Sequence, residues 1–152
     1  TVGVGTLGRI ADAEIQGLQW KDVHRKTGIV YVGGWLAKTR QRRLVTIEGP
    51  LEAALEYRDG AVGAVWPANG RRLWDAVRRA AGWQARAVDG TGRVWPHNGI
   101  RHSFVSNHLA FFGDVGRTAL EAGHSQAVLF RHYRELVTPD EAAIWWCGWT
   151  MA

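Results

Sequence analysis

The sequence predicts an α+β protein that is mainly helical and contains one small antiparallel β-sheet. Three observations support this prediction. Apolar residues recur at helical spacing through much of the chain, two short β-rich runs stand close together, and 152 residues suffice for one hydrophobic core. We therefore expect residues 1–152 to form a single domain.

The first half of the chain is predicted to hold the sheet and three helices. IADAEIQGL has the apolar spacing of a short helix, and the β-rich runs TGIVYVGG and RRLVTI are predicted to pair, with Lys38 at or near the turn between them. The early proline predicts a helix over residues 50–57. Another helix is predicted over residues 68–81, with Asn69 as a cap and Gly82 as its stop.

The second half is predicted to be helical after one loop. The composition of residues 85–92, which include Asp89, Gly90 and Gly92, is typical of a loop. WPHNGIRHSFVSNHLAFFG then has a long helical pattern that ends at Gly113. Shorter helices are predicted over residues 114–122, 126–133 and 139–146.

The cations of this chain are clustered. Its formal net charge is +5, and the segments KTRQRR and RRLWDAVRR each carry four cations. Clustered arginine is typical of a surface that binds a polyanion, although a merely solvated basic face has the same composition. The residues predicted to contact such a partner are Arg40, Arg42, Arg43, Arg71 and Arg72.

Composition argues against several other classes of protein. Cys147 is the only cysteine, so no internal disulfide or cysteine zinc site can form, and the apolar run AAIWWCGW is too short to span a bilayer. His97, His102 and His108 are not expected to bind a metal, because their spacings do not align ligands on one helical face. The chain begins with Thr1 and lacks the basic start of a signal peptide, so we expect a missing N-terminal part.

Four segments occur in a specific order: EIQGLQWKDV, AKTRQRRLV, NGIRHSF and GHSQAVLFRHY. Together they resemble the catalytic domain of tyrosine recombinases, the phage-integrase family, over about residues 11–133. The resemblance implies cleavage and rejoining of double-stranded DNA in site-specific recombination or the integration of a mobile genetic element. It implies a cytoplasmic protein without cofactor, small-molecule substrate or membrane contact, lacking here the usual N-terminal DNA-clamping domain. A homo-oligomer on DNA is left open.

The resemblance also implies roles for individual residues. Tyr133 falls at the nucleophile that forms a 3′-phosphotyrosine bond and expels a 5′-hydroxyl. Arg101 falls at an arginine that binds the phosphate, His124 at a histidine that orients or assists the attack, and Lys38 at a lysine that protonates the leaving oxygen. Forked arginine donors and a positioned proton donor suit this chemistry. Taken alone, Tyr133 would more often be a partly buried aromatic residue.

Two positions depart from the family pattern. Ala11 stands where the family has a second arginine, and alanine cannot hold a phosphate; Arg9 would substitute only if the chain there is not regular helix. Asn98 stands at the usual histidine position, where it can hydrogen-bond a phosphate oxygen but cannot carry a proton charge. The leading interpretation is therefore a DNA strand-exchange domain with impaired catalysis. A catalytically inactive relative that binds DNA is the second interpretation, which Ala11 favours. A plain helical interaction domain with a basic face is the third.

Overall fold

The computed structural model describes residues 14–37, 40–58, 60–84, 93–96, 99–133 and 137–147. They form a mainly helical α+β fold with a small antiparallel sheet, which confirms the predicted fold class. The predicted loop over residues 85–92 lies outside the described residues. So do the first part of the predicted N-terminal helix and the positions Arg9, Ala11, Lys38, His97 and Asn98.

The antiparallel sheet has three strands in the order β1 (Val23–His24), β2 (Ile29–Val32) and β3 (Arg43–Thr46). The predicted pairing of the two β-rich runs is confirmed, with Val30 opposite Val45. The short strand β1 adds an edge that the sequence analysis did not predict. Alternate residues of β2 and β3 point into an apolar cluster made by Leu18, Val30, Val32, Val45, Leu51 and Leu55.

Short helices flank this sheet. Helix α1 (Glu14–Gly17) precedes β1, and α2 (Pro50–Glu56) begins with proline in its first turn, where the missing N–H would have no helical partner. Helix α3 (Gly70–Ala80) stops before Gly82, which has a φ of 80°. Both α2 and α3 lie within one residue or two of their predicted bounds.

A second pair of strands follows α3. Strands β4 (Trp83–Gln84) and β5 (Arg93–Val94) pair in parallel, which was not predicted because two residues are too few for an alternating pattern. The indole of Trp95 contacts Trp74 and Trp83 edge to face, with ring centroids 5.3 and 5.2 Å apart. These contacts fix the chain just before the next helix.

Four helices complete the described chain: α4 (Gly99–Phe112), α5 (Val115–Ala122), α6 (Gln126–His132) and α7 (Pro139–Cys147). The predicted ends agree with the structure to within one residue, except that α4 begins at Gly99 rather than at Trp95. Asp114 and Ser125 cap α5 and α6 by accepting hydrogen bonds from the backbone N–H groups of Arg117 and Val128.

The helices enclose a second apolar cluster. Its buried members are Phe104, Val105, Ala119, Ala122, Leu129, Tyr133 and Trp146. Helix α7 packs along α4, where the indole N–H of Trp146 donates to the carbonyl of Asn107 at 3.3 Å. None of the helices in the described ranges has both the length and the apolar character that crossing a membrane requires.

Candidate active site

The backbone of His124 is fixed between two helix ends. Gly123 has a φ of 66° after the last turn of α5, and the N–H of His124 donates to the carbonyl of Ala119 at 2.9 Å. This left-handed glycine closure is common at helix ends because glycine adopts it without steric cost. Ser125 then caps α6, so the imidazole projects from a short, well-defined turn.

Arg101 reaches this imidazole from the first turn of α4. Its Nη1 lies 3.3 Å from Nε2 of His124. A guanidinium can only donate, so Nε2 must be the accepting nitrogen in this contact. A neutral His124 then carries its proton on Nδ1.

The surroundings keep His124 uncharged at neutral pH. Burial, and after it the electrostatic effects of Arg101, His102, Arg43 and His132, lower its pKa from 6.5 to about 4. Both causes disfavour the imidazolium. The candidate site therefore holds a neutral base beside the guanidinium groups of Arg101 and Arg43.

Tyr133 lies at the end of α6, beside the same imidazole. Its ring centroid is 5.9 Å from that of His124 and 5.2 Å from that of His102. The residue is only 5% exposed and belongs to the apolar cluster of the helices. Burial raises the pKa of its phenol, and the charge of Arg101 opposes that effect only in part. Tyr133 thus both packs in the core and borders the site.

Arg43 approaches the site from β3. Its guanidinium is held by Glu14 through two contacts, Nη1 to Oε1 at 3.0 Å and Nη2 to Oε2 at 2.5 Å. The side chains of Arg43 and Glu14 are only 9% and 14% exposed. On the site side, a Cβ at Gly123 would lie 3.1 Å from Nη1 of Arg43.

Three of the residues predicted from the sequence therefore come together: Arg101, His124 and Tyr133. Lys38 and Asn98 lie outside the described residues, so their places in the site remain predictions. Of the arginines predicted to contact DNA, Arg43 is largely buried, and those whose positions are exposed are Arg40, Arg42, Arg71 and Arg72.

His102 also borders the site, although its sequence context did not predict a role for it there. Its ring lies next to Tyr133, and its electrostatic effect contributes to the low pKa of His124. Its position directly after Arg101 could have indicated this, but two consecutive helical residues point about 100° apart. Adjacency in sequence therefore does not predict that both face one site.

A second polar cluster lies between β3, α4 and α5. One ligand atom each of Glu48, His108 and Glu121 lies within 4.8 Å of the others, which is a spacing that could hold a metal ion. Arg117 already contacts both carboxylates, through Nη2 to Glu48 and through Nε to Glu121 at 3.2 Å. The guanidinium supplies the cation that this cluster needs, and we interpret the cluster as structural.

No protein-family model, curated protein or solved structure matches this chain.

Proposed function

We propose that this chain is the catalytic domain of an enzyme that cleaves and rejoins DNA strands in the manner of tyrosine recombinases. The observation that carries the proposal is the convergence of three side chains from one helix, from the turn between two others and from the end of the second of these. Arg101 of α4 contacts His124 of the α5–α6 turn at 3.3 Å, and Tyr133 at the end of α6 has its ring centroid 5.9 Å from that imidazole.

Arg101 would bind the scissile phosphate. Its forked donors match two phosphate oxygens, and it lies in the first turn of a helix, where the backbone dipole also favours an anion. Turning toward phosphate would release Nε2 of His124 from the contact that it makes in the free protein. Substrate binding would thereby provide the site with a free neutral base.

The chemical step then needs a proton acceptor, because the raised pKa of Tyr133 keeps its phenol protonated at neutral pH. Nε2 of His124 takes the phenolic proton while the tyrosyl oxygen forms a bond to phosphorus. The bond from phosphorus to the 5′ oxygen breaks, its electron pair stays on that oxygen, and the oxygen takes a proton from Lys38. The product is a 3′-phosphotyrosine bond and a free 5′-hydroxyl.

Double-stranded DNA is the partner that this chemistry requires. The exposed cations support it, since Arg40 and Arg42 lie before β3 and Arg71 and Arg72 lie in the first turn of α3. Such side chains contact phosphates without reading base sequence. A cytoplasmic location and a role in recombination or integration belong to the same proposal.

The test is formation of a covalent protein–DNA adduct on a nicked suicide substrate, whose cleaved end cannot be rejoined. The chain should form an adduct, and Tyr133→Phe should form none, because phenylalanine has no nucleophilic oxygen. Tyr57→Phe removes an exposed hydroxyl outside the site and is the matched control. An adduct of equal yield with Tyr133→Phe would refute the proposal.

A second candidate function is DNA binding without cleavage. The burial of Tyr133 favours this function, and so does Ala11, which stands where tyrosine recombinases have a second arginine. If cleavage fails only for lack of a cationic donor, Ala11→Arg should raise adduct formation by about 10²- to 10³-fold. DNA binding with no adduct in either form would favour this second function.

A further inference from the structure

Arg43 and Glu14 form an ion pair that joins β3 to α1 across 29 positions of sequence. Two parallel N–H to oxygen contacts fix the plane of a guanidinium, which a single contact would leave free to turn. With side chains only 9% and 14% exposed, the pair is shielded from water and held more firmly than a surface pair.

The fixed guanidinium faces the turn that carries His124. A Cβ at Gly123 would meet Nη1 and Cζ of Arg43 at 3.1 and 3.4 Å, so any other residue there would require the guanidinium to shift by a few tenths of an ångström. The charge of Arg43 is also among the causes that lower the pKa of His124, after burial and the charges of Arg101 and His102. Two separate observations therefore indicate that Arg43 lies near His124.

We infer that Arg43, clamped by Glu14, is a positioning residue of the candidate active site, which braces the Gly123–His124 turn so that Nε2 of His124 stays beside Arg101. The inference deepens the proposed function and rests on it for its meaning in catalysis. It assigns Arg43 a different task from the exposed arginines, whose charge is directed to solvent.

The first test is a nuclear magnetic resonance titration of His124, which needs neither DNA nor activity. Arg43→Gln should raise the pKa of His124 and change which ring nitrogen carries the proton, because both the charge and the brace are lost. Arg42→Gln removes the same charge one residue away on an exposed side chain and should change neither quantity. An unchanged His124 in Arg43→Gln would overturn the inference.

An effect of Arg43→Gln on folding must be distinguished from an effect on the position of His124, because this variant leaves Glu14 partly buried without its ion pair. The double variant Glu14→Gln, Arg43→Gln replaces the charged pair with two amides and should raise the pKa of His124 in the same direction. Arg43→Lys keeps the positive charge but loses the forked pair of guanidinium donors. The pKa of His124 should therefore stay low, while the preference for the proton on Nδ1 of its ring should change. A His124 that is unaltered in both variants would also overturn the inference.

The second test is the adduct assay at saturating DNA. Arg43→Gln and Glu14→Gln should each lower the rate of adduct formation by about 10²-fold, as expected for a misplaced catalytic group, with little change in DNA affinity. If the parent chain forms the adduct and both variants form it at the same rate, the inference about Arg43 is contradicted while the proposed function stands. No adduct in the parent chain would contradict the proposed function, while the titration would still decide the role of Arg43.

Discussion

At the scale of single residues, the candidate site concentrates positive charge around one neutral imidazole. Burial makes the protonation of His124 unfavourable, and the electrostatic effects of Arg101, His102, Arg43 and His132 add to it. Adding a positive charge on His124 beside the guanidinium of Arg101 would cost free energy, and such local conflicts are typical of functional sites. A phosphate bound by Arg101 would offset this cost, which is the physical reason to expect an anionic ligand here.

The low pKa of His124 predicts how stability depends on pH. Between pH 4 and 6.5 the unfolded chain binds a proton at His124 that the folded chain does not, so stability rises with pH across this window. One proton contributes a slope of at most about 1.4 kcal/mol per pH unit.

Denaturant titrations from pH 4 to 7 should therefore show a shallower rise in stability for His124→Gln than for the parent chain. His24→Gln removes an exposed histidine in β1 and is the matched control. Equal slopes for the parent chain and His124→Gln would contradict the assignment of a low pKa to His124.

Sequence motifs predicted Arg101, His124 and Tyr133 because each of these residues lies in a short segment that can be recognised from the sequence alone. The pairing of Arg43 with Glu14 could not be predicted in this way, since it joins residues 29 positions apart and depends on how α1 packs beside β3. The composition of KTRQRR also gave no reason to separate Arg43 from Arg42, although one side chain is buried and the other position is exposed.

At the scale of secondary-structure elements, capping residues made most helix ends predictable. Gly113 and Gly123 both have positive φ, 65° and 66°, at the ends of α4 and α5. The strands β1, β4 and β5 escaped prediction because each has only two residues and is defined by its partner rather than by its own pattern.

These two glycines provide a matched pair of substitutions. Gly113→Ala should cost about 1–2 kcal/mol for the left-handed backbone alone, since no atom lies within 4 Å of the added Cβ. Gly123→Ala should cost more, because its Cβ would also meet Nη1 of Arg43 at 3.1 Å. Urea unfolding measures the loss of stability in each variant. Equal losses would show that the side chain of Arg43 moves away from the added Cβ at no cost in stability.

A buried polar cluster joins three elements of the fold. His108 is fully buried on α4, its Nδ1 lies 2.7 Å from the hydroxyl of Thr118, and its Nε2 lies 3.5 Å from Oε2 of Glu121. Glu121 also accepts hydrogen bonds from Thr46 of β3 and from Arg117. Burial alone would raise the pKa of Glu121, but these partners outweigh it and lower the pKa below 4.5.

Glu121→Gln should therefore destabilise the fold by about 3 kcal/mol at neutral pH, because it leaves His108 and Arg117 with a weaker partner. The stabilisation by a carboxyl of lowered pKa is present above the unfolded pKa and is lost as pH falls through the folded pKa. The variant should therefore lose less stability on acidification than the parent chain. Glu52→Gln, on the exposed face of α2, is the control, and a similar loss in both variants would argue against the cluster.

At the scale of the whole molecule, the charge is distributed in two ways. Arg43 and Arg101 are close to the candidate site, whereas Arg40, Arg42 and Arg71 are at exposed positions outside the core. With a net charge of +5, the exposed cations should attract DNA from solution before any residue of the site touches a phosphate. Binding and chemistry should therefore respond to different substitutions.

We predict DNA binding that is weak, largely independent of sequence and strongly dependent on salt. If about six phosphates are contacted, affinity should fall by about 10³-fold between 50 and 200 mM salt, because condensed counterions are released on binding. Fluorescence anisotropy with duplexes of unrelated sequence measures this slope. Arg40→Gln should reduce the slope by about one phosphate equivalent, whereas Tyr133→Phe should leave it unchanged because a neutral buried phenol releases no counterion. A salt dependence near zero would mean that the exposed arginines do not form the DNA-binding surface. The same conclusion would follow if Arg40→Gln and Tyr133→Phe changed the salt dependence equally.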